Sequence, residues 1–405
     1  MDFTLDPEQL RLITDMDRRF AAGIGARAED ADLKGAVPDE NWHDLAESGY
    51  LRIFHPTEIG GLGVDGVTQA MAMEALAKAC PSTFWSATMS ALVCAKLIHT
   101  YGNLVDHRRL LEPLLRGQRL ACFPVVELTS GSDAGTYTTT VRREGNGYVI
   151  SGEKARITNA TTADLGVVFA RLEGHEYGWC YAFVDLRQSG VRTYSMPRMG
   201  LRAMSWGGLV FDQAWVDAQD VVPVRLEEFQ NGMAWGWLFI SIASIAIAES
   251  ALKHSVAHAR QQIAFGRPLA HMEGVQAALA EMRTEIDAAR LLAYRCAWHR
   301  TEGRLVQDLV GMLKPYATEM AVRVTQKAVQ IHGSWGLTPG YPVERLYRDA
   351  PMHVIGGFAS NRLREVVAQH LGLPTTYREF DWLSPTGLGM DIGKQPDRSL
   401  VTAEV

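Results

Sequence analysis

The chain has no excess of positive charge: 40 Lys and Arg stand against 46 Asp and Glu, a net of −6. A nucleic-acid binder carries a basic face, and docking on an anionic membrane needs basic clusters. Neither nucleic acid nor membrane is therefore expected as a partner. Cysteine is scarce, with five in 405 residues, odd in number and dispersed as Cys80, Cys94, Cys122, Cys180 and Cys296. No CxxC or Cys/His spacing suited to zinc occurs, so reduced, mostly buried thiols and no metal are expected. The N-terminus, Met1-Asp2-Phe3-Thr4-Leu5-Asp6, lacks the positive start and apolar run of a secretory leader. The longest apolar stretch, Trp235 to Ala248, falls short of the about 20 residues that span a bilayer and reads as a deeply buried helix. These absences point to the cytoplasm.

What is present divides by periodicity. The length allows about two to four folding units, and 47% apolar residues suffice for a large core. Residues 1–117 read as an N-terminal helical domain. Asp6 is placed to cap a first helix that has Pro7 at its first position, and Met71 to Ala79 and Thr88 to His99 carry apolar residues at helical spacing. Residues 118–225 read as short β runs. The hairpin Thr138–Arg142, Glu144–Gly147 and Tyr148–Ser151 is the clearest, and 165–170, 179–184 and 208–211 read as further strands. No helical pattern separates the runs, which predicts an antiparallel sheet, as a small barrel or sandwich. Residues 226–372 return to long helical patterns over 235–262, 271–302, 305–331 and 359–370, a bundle. Residues 373–405, rich in Pro and Gly, read as a loosely structured C-terminal tail. The fold class is α+β: helices, a central antiparallel β domain, then a helical bundle.

Several segments carry chemistry. Glu127-Leu128-Thr129-Ser130-Gly131-Ser132-Asp133 and Gly152-Glu153-Lys154-Ala155-Arg156-Ile157-Thr158-Asn159 resemble the paired flavin-binding segments of the acyl-CoA dehydrogenase family, T-E-P-x-A-G-S-D and G-x-K-x-W-I-T-N. Further matches follow in family order: Phe265-Gly266-Arg267-Pro268-Leu269, Gln330 to Gly336, and Tyr341 to Ala350 against Y-x-V-E-R-x-x-R-D-A. The loop Pro56 to Gly63 resembles a family segment as well. The resemblance implies an FAD enzyme acting on an acyl thioester carried on CoA or an acyl carrier protein, and a homo-oligomer, dimer or tetramer. By residue, it sets Phe123, Val125 and Val126 against the flavin ring, Thr158 near the ring's reactive nitrogen, and Gly131-Ser132 at the pyrophosphate, where open backbone N–H groups suit an anion. Phe265, Gln330, Gly333 and Ser334 would meet the adenosine end of a neighbouring subunit's flavin. Taken alone, Gly131 and Gly333 are turn glycines, Phe265 a helix-end core residue and Thr158 an ordinary strand threonine.

The departures are as informative. The family's glutamate base, seven residues beyond the R-D-A element, is here Gly357, which keeps only a backbone amide. The alternative base position, on the long bundle helix, is Gly236. Its neighbour, an arginine in many relatives, is Trp237. Arg156 replaces the flavin-side tryptophan, Gln262 replaces an arginine that reaches the neighbour's phosphates, with Arg260 or Arg267 as substitutes, and Ala359 replaces a threonine. The chain therefore reads as a divergent relative without the usual glutamate. Three readings follow. One is an oxidoreductase on a specialised acyl thioester, in a biosynthetic pathway, that brings its own leaving group such as a carboxylate or uses His353 or Glu249 as base. The second is a flavin-dependent monooxygenase or oxidase in which Arg156 stabilises negative charge. The third is a catalytically silent homologue that binds a partner.

Overall fold

The computed structural model describes residues 2–301 and 307–374. From residue 375 on, the tail expected over 373–405 lies outside the described residues.

The first helix, Pro7–Phe20, starts where its chemistry dictates. Asp6 Oδ1 accepts from the amides of Glu8 and Gln9 at 2.7 and 2.9 Å, and the Gln9 side chain accepts from the Asp6 amide at 3.0 Å. Both otherwise orphaned ends of the first turn are satisfied. Gly66–Ala79 and the helical turns from Pro81 to Tyr101 form the inner part of this domain, and most residues of both are buried.

The sheet contains β1 (Ala121–Cys122), β2 (Thr140–Glu144), β3 (Gly147–Thr158), β4 (Leu165–Leu172), β5 (Trp179–Asp185), β6 (Val191–Ser195), β7 (Trp206–Asp217) and β8 (Val221–Val224). Their order is β6-β7-β3-β2-β4-β5-β8, with β1 also on β4. The hairpin reads as expected, with Glu144 opposite Gly147. The all-antiparallel expectation is corrected, because β1–β4 and β2–β4 are parallel pairs. A parallel pair needs a crossover of a dozen or more residues, usually a helix. Here β3 itself is the crossover, so the absence of a helical pattern did not exclude parallel pairing. Side chains on β4 and β5 alternate between two cores, as a period of two requires. Val167, Phe169, Tyr181 and Phe183 join the helices, whereas Val168, Ala170, Cys180 and Ala182 fill the sheet's own interior.

The bundle is built from Leu226–Gln261, Glu273–Thr301, Gln307–His332, Pro342–Ile355 and Ser360–His370. The Pro342–Ile355 helix went unread in the sequence. The apolar run read over 235–248 belongs to a helix of 36 residues. Its Met233–Gln261 portion is long and apolar enough to cross a membrane by composition, which corrects the expectation that it is too short. Of its most apolar 18-residue stretch, 83% is buried within the fold, as the deeply buried helix expected there requires. All five cysteines are free and buried.

Candidate active site

The site residues fall into two groups. The first lies where the sheet meets the bundle. The segment that carries Phe123, Val125 and Val126 continues beyond β1 and is stitched to both neighbouring strands: Phe169 N donates to Pro124 O at 3.1 Å and Ala155 N to Val126 O at 3.0 Å. Beneath it lies a buried ion pair. Lys154 Nζ donates to Glu127 Oε1 at 3.0 Å and to Val125 O at 2.7 Å. The Glu127 carboxylate also accepts from the amides and hydroxyls of Thr138 and Thr139 at 2.7–2.9 Å. Burial would push this carboxyl up, but Lys154 and the threonine donors override it and hold it at about 2. Burial pulls Lys154 down to about 8 against the opposing pull of Glu127.

Arg156, expected at the flavin, has φ 59° and turns back along the chain. Its Nη1 donates to Glu127 O at 3.0 Å and its Nη2 to Leu128 O at 3.1 Å, and the residue is exposed. It braces the loop that leads to Gly131. Thr158 is 7% exposed at the end of β3, and no described residue hydrogen-bonds to its hydroxyl. Asn159, next in the motif, is a cross-link: its amide donates to Ser86 O and Ala121 O at 2.9 and 3.0 Å, tying the β domain to the N-terminal helices.

The Gly357 turn closes this group. The Ala359 amide donates to Ser132 Oγ at 3.3 Å, so the pyrophosphate-type loop and the turn touch. The R-D-A motif positions the turn from behind. Arg348 pairs with Asp32 and Glu344 at 2.7 and 2.5 Å, and Asp349 accepts from Leu201 N at 2.5 Å. Lys314, fully buried on the Gln307–His332 helix, donates to Val354 O and Phe358 O at 2.7 and 2.8 Å. Burial brings Lys314 to about 7. Sequence reading missed it; its only signal was a lysine on an otherwise apolar helix face.

Gly357 has φ +65°, a conformation that costs other residues about 1–2 kcal/mol. A Cβ there would lie 2.7 Å from Ile240 Cδ1 and 3.4 Å from Trp237 Cδ1. The Trp237 indole N–H donates to Gly357 O at 2.6 Å. A Cβ at 357 would require the terminal methyl of Ile240 to shift and would sit in ordinary contact with Trp237. No described residue accepts from the Gly357 amide.

Neither replacement base is free. His353 is buried, with Trp85 Nε1 donating to its Nε2 at 2.7 Å and Ser244 Oγ 2.9 Å from its Nδ1. Because Ser244 donates to Ile240 O, the ring N–H is on Nδ1, and both nitrogens are used. Burial, then the charge of Lys314, drives His353 down to about 3. Glu249 accepts from Arg290 at 2.8 Å, within a network that includes Glu74 and Asp287. Gly236 is buried on the long helix and bears no acid.

The second group gathers at the far end of the bundle. Gln262 caps the long helix, and Phe265 (φ 51°) with Gly266 (φ 76°) forms a short hairpin tip. Gln330, Gly333 and Ser334 follow at the end of Gln307–His332, and the His258 and His332 rings stack at 4.2 Å to join the two ends. Gln262, Phe265, Gly266, Gln330, Gly333 and Ser334 are all exposed, Phe265 at 96%. Phe265 is therefore no helix-end core residue. Among the described residues no hydrogen bond joins this group to the first.

The donor set fits a flavin. A Cβ on Gly131 or Gly333 would meet nothing within 4 Å, leaving the backbone at both loops open. Val125 is buried, Phe123 and Val126 pack against the core, and Thr158 ends β3 with its hydroxyl unbonded among the described residues. Val125, Phe229 and Phe358 are buried at the same junction of sheet and bundle.

Comparison with known proteins agrees. The N-terminal, middle and C-terminal domains of acyl-CoA dehydrogenase match residues 7–118, 122–214 and 227–372. The probable acyl-CoA dehydrogenase YngJ of Bacillus subtilis is 32% identical, covering 92% of this chain and 100% of the relative. Benzylmalonyl-CoA dehydrogenase of Aromatoleum aromaticum is also 32% identical, with 92% and 100% covered. The butyryl-CoA dehydrogenase structure from Megasphaera elsdenii superposes with a TM-score of 0.87 at 27% identity, covering 92% of this chain and 100% of that one. With all three domains present in order, the chain belongs to the acyl-CoA dehydrogenase family of flavin-dependent oxidoreductases.

Proposed function

We propose that this enzyme is an FAD-dependent oxidoreductase acting on a specialised acyl thioester, held on CoA or a carrier protein, whose carbanion equivalent arises without a carboxylate base at 357. One observation carries the reading: position 357, whose carbonyl Trp237 holds, bears no side chain to act as a base. A substrate with a carboxylate on its α-carbon supplies what the protein lacks. Breaking its C–CO2 bond leaves the electron pair on the α-carbon, a hydride departs from the β-carbon, and the C=C bond forms between them. The bound flavin supplies the hydride acceptor.

This chain's own residues set the geometry. Phe123, Val125, Val126 and Thr158 would hold the ring, and Gly131 and Ser132 the pyrophosphate. The unengaged Gly357 amide is suited to polarise the thioester carbonyl, and a fixed N–H donor aimed at developing oxyanion charge is worth about 3 kcal/mol in other enzymes. Trp237 and Ile240 keep water from the α-carbon side. The reading is of a cytoplasmic, biosynthetic enzyme. Phe265, Gln262, Gln330, Gly333 and Ser334 would complete a neighbour's cofactor site in a dimer or tetramer, which the 96% exposure of Phe265 supports. The monooxygenase reading loses its particular support, because Arg156 is spent on the carbonyls of Glu127 and Leu128.

The purified protein is expected to show flavin absorption that bleaches anaerobically with a 2-carboxyacyl-CoA and not with butyryl-CoA. Absence of flavin bands after reconstitution with FAD would sink the proposal. Gly357→Glu is expected not to create α-proton exchange with butyryl-CoA in heavy water, whereas Gly357→Glu with Ile240→Ala is. Strong exchange in the single variant would show that Ile240 does not stand in the way of a side chain at 357.

A further inference from the structure

The turn after the Pro342–Ile355 helix is held in a conformation that its sequence does not favour. Gly357 and Phe358 follow one another at φ 65° and 75°. A left-handed phenylalanine is an outlier, and such a residue persists only where its surroundings fix it. Its neighbours do so. The Phe358 ring is 5% exposed and meets Phe229 edge-on, with centroids 6.3 Å apart. The Trp237 indole N–H donates to Gly357 O at 2.6 Å. Lys314 Nζ, fully buried, donates to Phe358 O at 2.8 Å and to Val354 O at 2.7 Å.

Only one of the two Lys314 bonds serves the helix. Val354 is in its last turn, where an ammonium satisfies an orphaned carbonyl and suits the negative end of the dipole. Phe358 lies beyond the helix end. The helices that end at Lys34 and Ser48 close on left-handed glycines, Gly35 and Gly49, so a helix end in this fold does not itself require a buried lysine. A planar trans peptide points its N–H opposite its C=O. Donors reaching the carbonyls of Gly357 and Phe358 from the bundle therefore turn the amides of Phe358 and Ala359 the other way. The Ala359 amide meets Ser132 Oγ at 3.3 Å. The peptide that Lys314 grips at one end is thus the peptide that reaches Ser132 at the other. Because Ser132 accepts there, its own O–H is left to donate. Hydrogen bonds in a chain polarise one another, and this chain runs from a buried ammonium to a half-buried hydroxyl.

We propose that Lys314 is a positioning residue for cofactor binding: through the Phe358–Ala359 peptide it orients and polarises the Ser132 hydroxyl toward a pyrophosphate anion. It acts at a distance, through one peptide and one hydroxyl. The assignment rests on the reading that the Gly131–Ser132 loop holds the flavin's pyrophosphate. The strain at Phe358 then has a purpose, since relaxing its φ would swing the Ala359 amide off Ser132.

Calorimetric titration of the full chain, freed of flavin, with FAD tests the relay. Ser132→Ala is expected to weaken FAD by about tenfold or more, the loss of a hydrogen bond to a charged group. Lys314→Met should weaken it by about tenfold as well. The two losses should not combine: the double variant should bind within about threefold of Ser132→Ala. The phosphorus NMR resonances of bound FAD should shift in Lys314→Met while the visible spectrum of the ring stays put, a split that a role in folding alone would not give. If Lys314→Met does not fold, Lys314→Gln, which keeps a donor and loses the charge, carries the same cycle. Losses that multiply in the double variant, or unchanged affinity and phosphorus resonances in Lys314→Met, overturn the inference. FAD binding without that coupling sinks this inference alone, whereas failure of the parent to bind FAD sinks the proposed function and the inference with it.

Discussion

Two buried lysines hold two segments of the proposed site by different means. Lys154 secures the Val125 segment through a carboxylate, Glu127, that four threonine donors also satisfy. Lys314 secures the Gly357 turn with carbonyl oxygens alone, those of Val354 and Phe358. The first is a closed charge network in which each member depends on the others. The second is a neutral-acceptor clamp, backed by the Trp237 indole and the locked His353. The first segment depends on every member of its network, whereas the second holds a glycine turn through carbonyl oxygens that any residue would present.

Breaking the first network should have the largest effect. Glu127→Ala leaves the Lys154 charge buried and unpaired and is expected to cost about 3–5 kcal/mol, read as a lower midpoint in urea unfolding and weakened FAD retention. A loss below about 1 kcal/mol would mean that Lys154 finds another partner or sheds its proton.

The second segment should reveal itself through acid. His353 binds protons less tightly folded than unfolded, so its contribution is constant above pH 6.5 and declines as pH falls from 6.5 towards about 3. At pH 5 that amounts to about 2 kcal/mol. His353→Gln should flatten the difference in unfolding free energy between pH 7 and pH 5 by this amount, while His55, also held at about 3, keeps its own share. An unchanged difference would contradict the locked, neutral ring.

The smallest effect sharpens the comparison. Trp237→Phe keeps the packing against Gly357 but removes one hydrogen bond to its carbonyl, for about 1 kcal/mol. Amide hydrogen exchange at residues 356–359 should accelerate with little change across 123–127. Acceleration of both segments together would show that they are not independent.

The sequence disclosed what local chemistry decides. The Asp6 cap, the Gly145-Asn146 hairpin turn and the helical layers follow from propensity and periodicity, and the order of motifs carried the family. That positions 357 and 236 carry glycine and no acid was legible because a residue type is visible without a structure. What a side chain at 357 would meet was not, since Ile240 and Trp237 lie more than a hundred residues from Gly357 in the chain. The roles of Arg156 and His353 were hidden for the same reason: each is decided by partners brought in from elsewhere, Glu127 and Leu128 for one, Trp85 and Ser244 for the other. Glu249, flanked by apolar residues on a helix, reads more as a paired or interface acid than as a base, and it is paired.

The parallel ladder between β1 and β4 has a consequence for assembly. Ala121 and Cys122 pair with Leu165 and Gly166, which emerge only after the β2–β3 hairpin. Contacts that span so much chain form late, because loop-closure entropy is lost before they contribute. The Phe123–Val126 segment, held by Phe169 and Ala155, is therefore fixed only once β4 has docked. With that segment at the flavin, as proposed, flavin capture follows the docking of β4 and reports on it.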